Sequence, residues 1–149
     1  MDLLCVFEHR REQIGEGLVF FENAVQDSSQ QESLILQLES LDYLSGTQIN
    51  LRRYENALKT IDKMEQIYES AKDIHPTEQK HAKAIMIGVE ASKLNIDFYS
   101  GKDSPENRFE SLIKLMKKRL KLYQELNFQV EILQIQYNLG YSYYTLEDY

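Results

Sequence analysis

The sequence predicts an all-α protein in which antiparallel helix pairs stack on one another. Glycine and proline, which turn-rich β folds need in number, occur only 6 and 2 times in 149 residues. Apolar residues recur at steps of three and four along stretches such as 54–71, which is the spacing of one helix face. Segments 41–61 and 96–116 also match each other without gaps, 55 residues apart. Helical periodicity and internal repetition together favour a solenoid.

Seven helices are predicted, and several of their boundaries have local causes. The Asp-Ser-Ser run at 27–29 separates the second helix from the third. The His-Pro pair at 75–76 ends the fourth helix, because proline disfavours a helical conformation in the residue before it. Ser104 is expected to cap the sixth helix, with Pro105 at its first position. The predicted ranges are 2–12, 14–26, 31–50, 54–73, 77–100, 104–126 and 129–146.

Composition and charge argue against several classes of protein. The net charge of −7, most of it in residues 1–50, is a poor match for nucleic acid. No apolar run approaches the roughly 20 residues that span a bilayer, so no membrane partner is expected. A single cysteine, Cys5, excludes an internal disulfide and indicates a reducing compartment, and we therefore expect a cytoplasmic protein.

The histidines, the cysteine and the glycines of the sequence do not form a known catalytic or metal-binding motif. The histidines, His9, His75 and His81, are not arranged as in a metal-binding motif, and no phosphate-binding glycine loop occurs. Cys5 is interpreted as a buried structural thiol rather than a nucleophile. We therefore expect no catalytic residue, no metal and no cofactor.

A lysine-rich run at 114–121 has two interpretations. Its lysines share one predicted helix face that could hold an acidic partner or a phosphate group. The plainer interpretation, which we favour, is an exposed helix face balanced by Glu110 and Glu125. The lysines in question are Lys114, Lys117, Lys118 and Lys121.

The last stretch, YNLGYSYYTLEDY (137–149), resembles the first helix and turn of a tetratricopeptide repeat. The residues that match that pattern are Leu139, Gly140, Tyr143, Leu146 and Tyr149, the last of which would open a second helix. In the second half of the repeat, the pattern has a small residue, then an aromatic residue, then another small residue. Gly17, Phe21 and Ala24 fit this pattern well, whereas Leu112, Met116 and Arg119 fit it poorly.

The resemblance implies a right-handed superhelical solenoid of about three and a half helix-pair units. Their approximate ranges are 1–27, 31–74, 77–126 and an incomplete 129–149. Spacings of 40, 55 and 40 between Cys5, Ser45, Ser100 and Gly140 exceed the usual 34 of the family. Such long units resemble the repeat arrays of bacterial signal-transduction (STAND-type) ATPases and related transcription regulators. We therefore expect the chain to be part of a longer protein.

By resemblance, the chain is expected to be a non-catalytic protein- or peptide-binding module of a larger signalling or transcription regulator. The family's ligand-facing positions correspond here to Asp42, Asn50, Asp97, Tyr137, Tyr141 and Tyr144. An equally weighted interpretation has Tyr141 and Tyr144 pack on a further helix. Two alternative functions remain open: a receptor for a peptide pheromone, and a structural spacer that self-associates through its open C-terminal unit.

Overall fold

The computed structural model describes residues 3–29, 33–102 and 104–147. These residues form six helices and no strand, which confirms the prediction of an all-α protein. The helices are α1 (Leu3–Ser29), α2 (Leu34–Asn50), α3 (Tyr54–Ser70), α4 (Pro76–Tyr99), α5 (Pro105–Leu126) and α6 (Gln129–Glu147). No helix among these residues has the length and apolar composition that crossing a membrane requires.

The chain divides into two compact units, Met1–Ala71 and Lys72–Tyr149. In the first unit, α2 packs against both α1 and α3. In the second unit, α5 packs against both α4 and α6. Each unit is therefore built around a central helix with a neighbour on either side.

Residues 3–29 form one continuous helix, where the sequence analysis expected two helices over 2–12 and 14–26. The predicted break is therefore wrong, and residues 3–27 are not a helix pair. Gly15 and Gly17 each weaken a helix by about 1 kcal/mol, but neither ends one. No proline lies in this stretch to force a break.

The match between 41–61 and 96–116 does not extend to the secondary structure. Ser45 is buried in the middle of α2, whereas Ser100, its predicted equivalent, is an exposed residue just after α4. Asp42 likewise lies well inside α2, but Asp97 lies in the last turn of α4. The reason is that the turn after the helix comes six residues earlier in the second segment: α4 ends at Tyr99, which corresponds to residue 44, whereas α2 continues to Asn50.

Local signals set most of the other boundaries. The Ser33 and Ser104 hydroxyls each accept a hydrogen bond at 3.3 Å, from the backbone N–H groups of Leu36 and Asn107. The Ser104 cap was predicted. Asn127 ends α5 in the left-handed conformation, with a φ of 59°, which asparagine tolerates better than most residues. Tyr149, expected to open a further helix, lies outside the described residues.

Each unit has its own core. In the first unit Leu38, Ile61 and Met64 are fully buried, and the Thr60 hydroxyl donates a buried hydrogen bond of 2.8 Å to Gln48 Oε1 across α2 and α3. The core of the second unit joins all three of its helices. One cluster that joins them has the buried residues Ala84, Ile113, Tyr123, Ile135 and Leu139.

Candidate functional site

The structure brings together three of the six predicted site residues. Tyr137, Tyr141 and Tyr144 lie on one side of α6 in the second unit. Asp97 lies on α4 in the same unit, while Asp42 and Asn50 lie on α2 in the first unit. The tyrosines are therefore the strongest starting point for a site.

Helix α6 is apolar on two opposite sides. Its inner side packs on α5: Ile135, Leu139 and Ser142 are buried, and Ile132 and Leu146 are half-buried against the core of the unit. At 100° per residue, Tyr137 and Tyr144 lie roughly opposite this buried side. A helix that packs on one neighbour needs only one apolar face, so the outer side has no role in the core of its own unit.

We call the outer face the tyrosine stripe. Its members repeat at steps of three and four and are 62–75% exposed. They are Val130, Leu133, Tyr137, Tyr141 and Tyr144. The sequence analysis missed Val130 and Leu133, although their spacing from Tyr137 places them on the same helix face.

Gly140 lies at the edge of the stripe, in a depression that Tyr137, Tyr141 and Tyr144 also line. The depression is open, has a volume of about 350 Å³ and is lined also by Gln136. A Cβ atom added at Gly140 would have no heavy atom within 4 Å outside its own helix backbone and chain neighbours. Packing against the described residues therefore does not require glycine here, although glycine weakens a helix by about 1 kcal/mol relative to alanine.

Asp42 and Asn50 belong to a different surface. Asp42 is half-buried, and its backbone carbonyl accepts a 2.9 Å hydrogen bond from the Ser45 hydroxyl. Asn50 is exposed at the end of α2. The neighbouring Tyr43 is exposed and stacks on Phe21 of α1, with ring centroids 5.6 Å apart. The structure therefore does not bring these two residues to the tyrosines within one unit.

Asp97 lines a second depression, which we call the α4–α5 groove. This groove has a volume of about 330 Å³. From α4 it is lined by Glu90, Lys93, Leu94 and Asp97, and from α5 by Ser111, Lys114, Leu115 and Lys118. Two lysines of the predicted basic face therefore line the same depression as a predicted site residue on the neighbouring helix.

The other two lysines of that face have different surroundings. Lys117 Nζ lies 5.4 Å from the centre of the Tyr143 ring on α6. Lys121 lies near Glu125, whose carboxylate bonds Lys80 Nζ of α4 at 2.9 Å. The hydrogen bond and charge of Lys80, followed by the charges of Lys121 and Lys83, hold the pKa of Glu125 below its ordinary value.

The side chains of His75 and His81 make contacts that stabilise the fold. His75 Nδ1 accepts a hydrogen bond of 3.3 Å from the Thr77 N–H at the start of α4. The His81 ring meets the edge of the Phe128 ring at 4.9 Å between centroids. Within the described ranges, no three His, Cys, Asp or Glu side chains are grouped as metal ligands. The side chains of Cys5 and His9 are not among those that the structure describes.

Comparison with known proteins identifies no family. No family model, no curated protein and no solved structure matches this chain. The case for a function therefore rests on the surfaces described above.

Proposed function

We propose that this chain is a non-catalytic protein-binding module that binds an α-helix of a partner along the tyrosine stripe. The observation that supports this proposal is the second apolar face of α6, exposed on the side opposite the core. In this proposal the helices belong to a right-handed, tetratricopeptide-like solenoid within a larger cytoplasmic signalling or transcription regulator. The repeat-like residues of 137–149 support that assignment.

The stripe suits an apolar helix better than a charged or extended ligand. It continues over about four turns at steps of three and four, which is how an amphipathic helix presents its own anchors. No stripe residue is charged, so a charged ligand gains no ion pair there. An apolar helix face would remove both surfaces from water, and burial of apolar area is the main driving force of association.

The exposed area is appropriate for the centre of a protein interface. A tyrosine buries about 150–250 Å² when fully covered, so three that are 62–73% exposed offer roughly 300–500 Å². Val130 and Leu133 extend this area. A stable interface buries about 800 Å² on each partner, and its energy is concentrated in a few central residues rich in tyrosine. The stripe would then be the central part of the contact.

Photo-crosslinking tests the proposal. A photoreactive phenylalanine analogue at Tyr141 of the full chain is expected to form a discrete adduct with a protein, in a cell extract or with a second copy. The matched control places the analogue at Tyr143, which is 45% exposed on the same helix but outside the stripe. Adding Tyr137→Ala to the Tyr141 variant is expected to reduce the adduct at least fivefold without unfolding the protein.

Equal adducts from positions 141 and 143, or none from position 141, would contradict the proposal. If Tyr137→Ala left the yield of the adduct unchanged, the tyrosine stripe would not be part of the contact. Circular dichroism of each variant is the control for folding. Mass spectrometry then shows whether the captured protein is another protein or a second copy, and therefore distinguishes recognition from self-assembly.

Gly140→Ala gives a second test, because stability and binding are expected to change in opposite directions. Alanine should stabilise α6 by about 0.5–1 kcal/mol, since nothing obstructs its methyl group. The same methyl group partly fills the depression, and adduct formation at Tyr141 should fall. Gly46→Ala in α2 is the matched control, because it is equally open and lies in the first unit. If both variants form the adduct equally well, the depression is not part of the contact.

A further inference from the structure

We infer that the α4–α5 groove is a second binding site, which takes an acidic peptide segment bearing apolar side chains. It is separate from the tyrosine stripe, because it lies between α4 and α5 rather than on α6. The inference therefore does not depend on the function proposed for the stripe. It joins two features that the sequence showed separately, Asp97 and the lysine-rich run of α5.

The groove combines an apolar base with charged edges. Leu94 and Leu115 come from opposite helices and remain half-buried rather than fully buried. Lys114 and Lys118, one helical turn apart, are exposed on the α5 side. A ligand that lies between the helices would therefore meet apolar surface beneath it and ammonium groups along one edge.

The two edges of the groove differ in charge. The α5 edge has two lysines and the uncharged Ser111, while the α4 edge has Glu90, Lys93 and Asp97. Lys102 Nζ lies 4.0 Å from the Asp97 carboxylate, so that edge already contains pairing charges of its own. The α5 edge therefore has an excess of positive charge, and Lys114 and Lys118 would attract the carboxylates of a ligand there.

This arrangement selects among anionic ligands. A nucleic acid brings a continuous line of phosphates but no aliphatic side chain to cover Leu94 and Leu115. A free phosphate could contact the lysines but would leave Leu94 and Leu115 uncovered. An acidic peptide satisfies both parts, because its carboxylates pair with Lys114 and Lys118 while its apolar side chains cover the leucines.

The volume indicates a short ligand segment. At about 330 Å³ the groove is at the lower end of the range for ligand pockets, which is about 300–1,000 Å³. Such a space accommodates a few side chains rather than a folded domain. The recognition element is therefore a short acidic stretch with one or two apolar residues.

Titration of the isotope-labelled full chain with synthetic peptides, followed by NMR, tests the inference. The probe is a short peptide in which glutamates flank two leucines. We expect amide shifts at residues 90–97 and 111–118. One control peptide has lysine in place of every glutamate, and another has serine in place of both leucines, and neither should bind appreciably.

Charge-reversed variants locate the contact on the protein. Lys114→Glu with Lys118→Glu should weaken binding of the acidic peptide about tenfold. Lys117→Glu with Lys121→Glu is the matched control, since it makes the same charge change on the same helix but outside the groove. This control should bind within about twofold of the unmodified chain.

Three results would overturn the inference. No shift with the acidic peptide would exclude this ligand class. Equal weakening by both pairs of substitutions would show non-specific attraction to a basic helix. Inorganic phosphate that produces the same shifts at comparable concentrations would show an anion site that does not use the leucines.

Discussion

At Gly88 the backbone of α4 lies against the guanidinium group of Arg119 on α5. A Cβ atom at residue 88 would be 2.9 Å from Nη1 of that arginine. The Nη2 group donates a 3.3 Å hydrogen bond to the Tyr123 hydroxyl, and the buried Nε has no hydrogen-bond partner among the residues that the structure describes. Arg119 is a large residue at a position where the tetratricopeptide pattern has a small one. Its side chain packs against Gly88, a small residue on the facing helix.

Gly88→Ala tests this packing at the scale of single residues. Alone, the substitution should lower the free energy of unfolding by about 1 kcal/mol, because the partly buried guanidinium must leave its contacts. In an Arg119→Ala background the same change should raise it by about 0.5–1 kcal/mol, since only the helix-propensity gain remains. Chemical denaturation of the four proteins of this cycle gives the coupling energy. Additive effects would show that Gly88 and Arg119 do not interact.

At the scale of elements, side chains link α4 and α5 near both ends of their antiparallel pair. Near the connecting turn, Arg108 Nε donates a hydrogen bond of 3.0 Å to Asn95 Oδ1, and the guanidinium lies 4.4 Å from the centre of the Phe98 ring. At the other end, Lys80 Nζ and the Glu125 carboxylate are 2.9 Å apart. The α4–α5 groove is therefore formed by two helices whose relative register is specified near each end.

The pair of Lys80 and Glu125 makes a prediction about pH. Because the pKa of Glu125 is lowered in the folded state, its stabilising effect is present above the unfolded-state pKa and is lost as the pH falls through the lowered value. Lys80→Gln should raise the pKa of Glu125 towards its ordinary value, but only in part, because Lys121 and Lys83 remain. The change in stability should be small, since the pair is exposed.

NMR titration of the Glu125 side-chain carboxyl in both proteins measures this shift. Lys63→Gln in the first unit is the control for a general change in charge and should leave the titration unchanged. An identical Glu125 pKa in the Lys80→Gln protein would show that the 2.9 Å contact does not persist in solution.

At the scale of the whole molecule, the two compact units differ in charge. Residues 1–71 contain 13 acidic and 6 basic residues, and residues 72–149 contain 11 of each. The net charge of −7 therefore lies entirely within the first unit. Self-repulsion of like charges weakens a compact state, and dissolved salt screens it.

We therefore expect added sodium chloride to affect the units unequally. Raising ionic strength from about 0.01 to 0.15 M shortens the screening length from about 30 to 8 Å, which should increase hydrogen-exchange protection in α2 and α3. Protection in α4 and α5 should change less. Sodium sulfate is unsuitable for this test, because it also strengthens apolar burial. Equal changes in both units would indicate that net charge does not determine their relative stability.

Local sequence signals predicted most of the elements because their causes are local. The helices α2 to α6 begin and end within about three residues of their predicted ranges. The Ser104 hydroxyl caps α5 by accepting a hydrogen bond from the N–H group of Asn107. Pro76 and Pro105, which disfavour a helical residue before them, are the first residues of α4 and α5. The grouping of Tyr137, Tyr141 and Tyr144 also follows from helical spacing alone. The break predicted at residue 13 has no proline or capping residue to cause it, and residues 3–29 form one helix.

Contacts between helices depend on residues far apart in the chain, and local patterns do not reveal them. Nothing in the spacing of α4 and α5 shows that Gly88 faces Arg119, or that Asp97 lines the same depression as Lys114 and Lys118. The role of Val130 and Leu133 likewise depends on which side of α6 packs against α5. The sequence of α6 shows that the helix has two apolar faces. Only the packing of α6 on α5 determines which face is buried and which remains exposed to a partner.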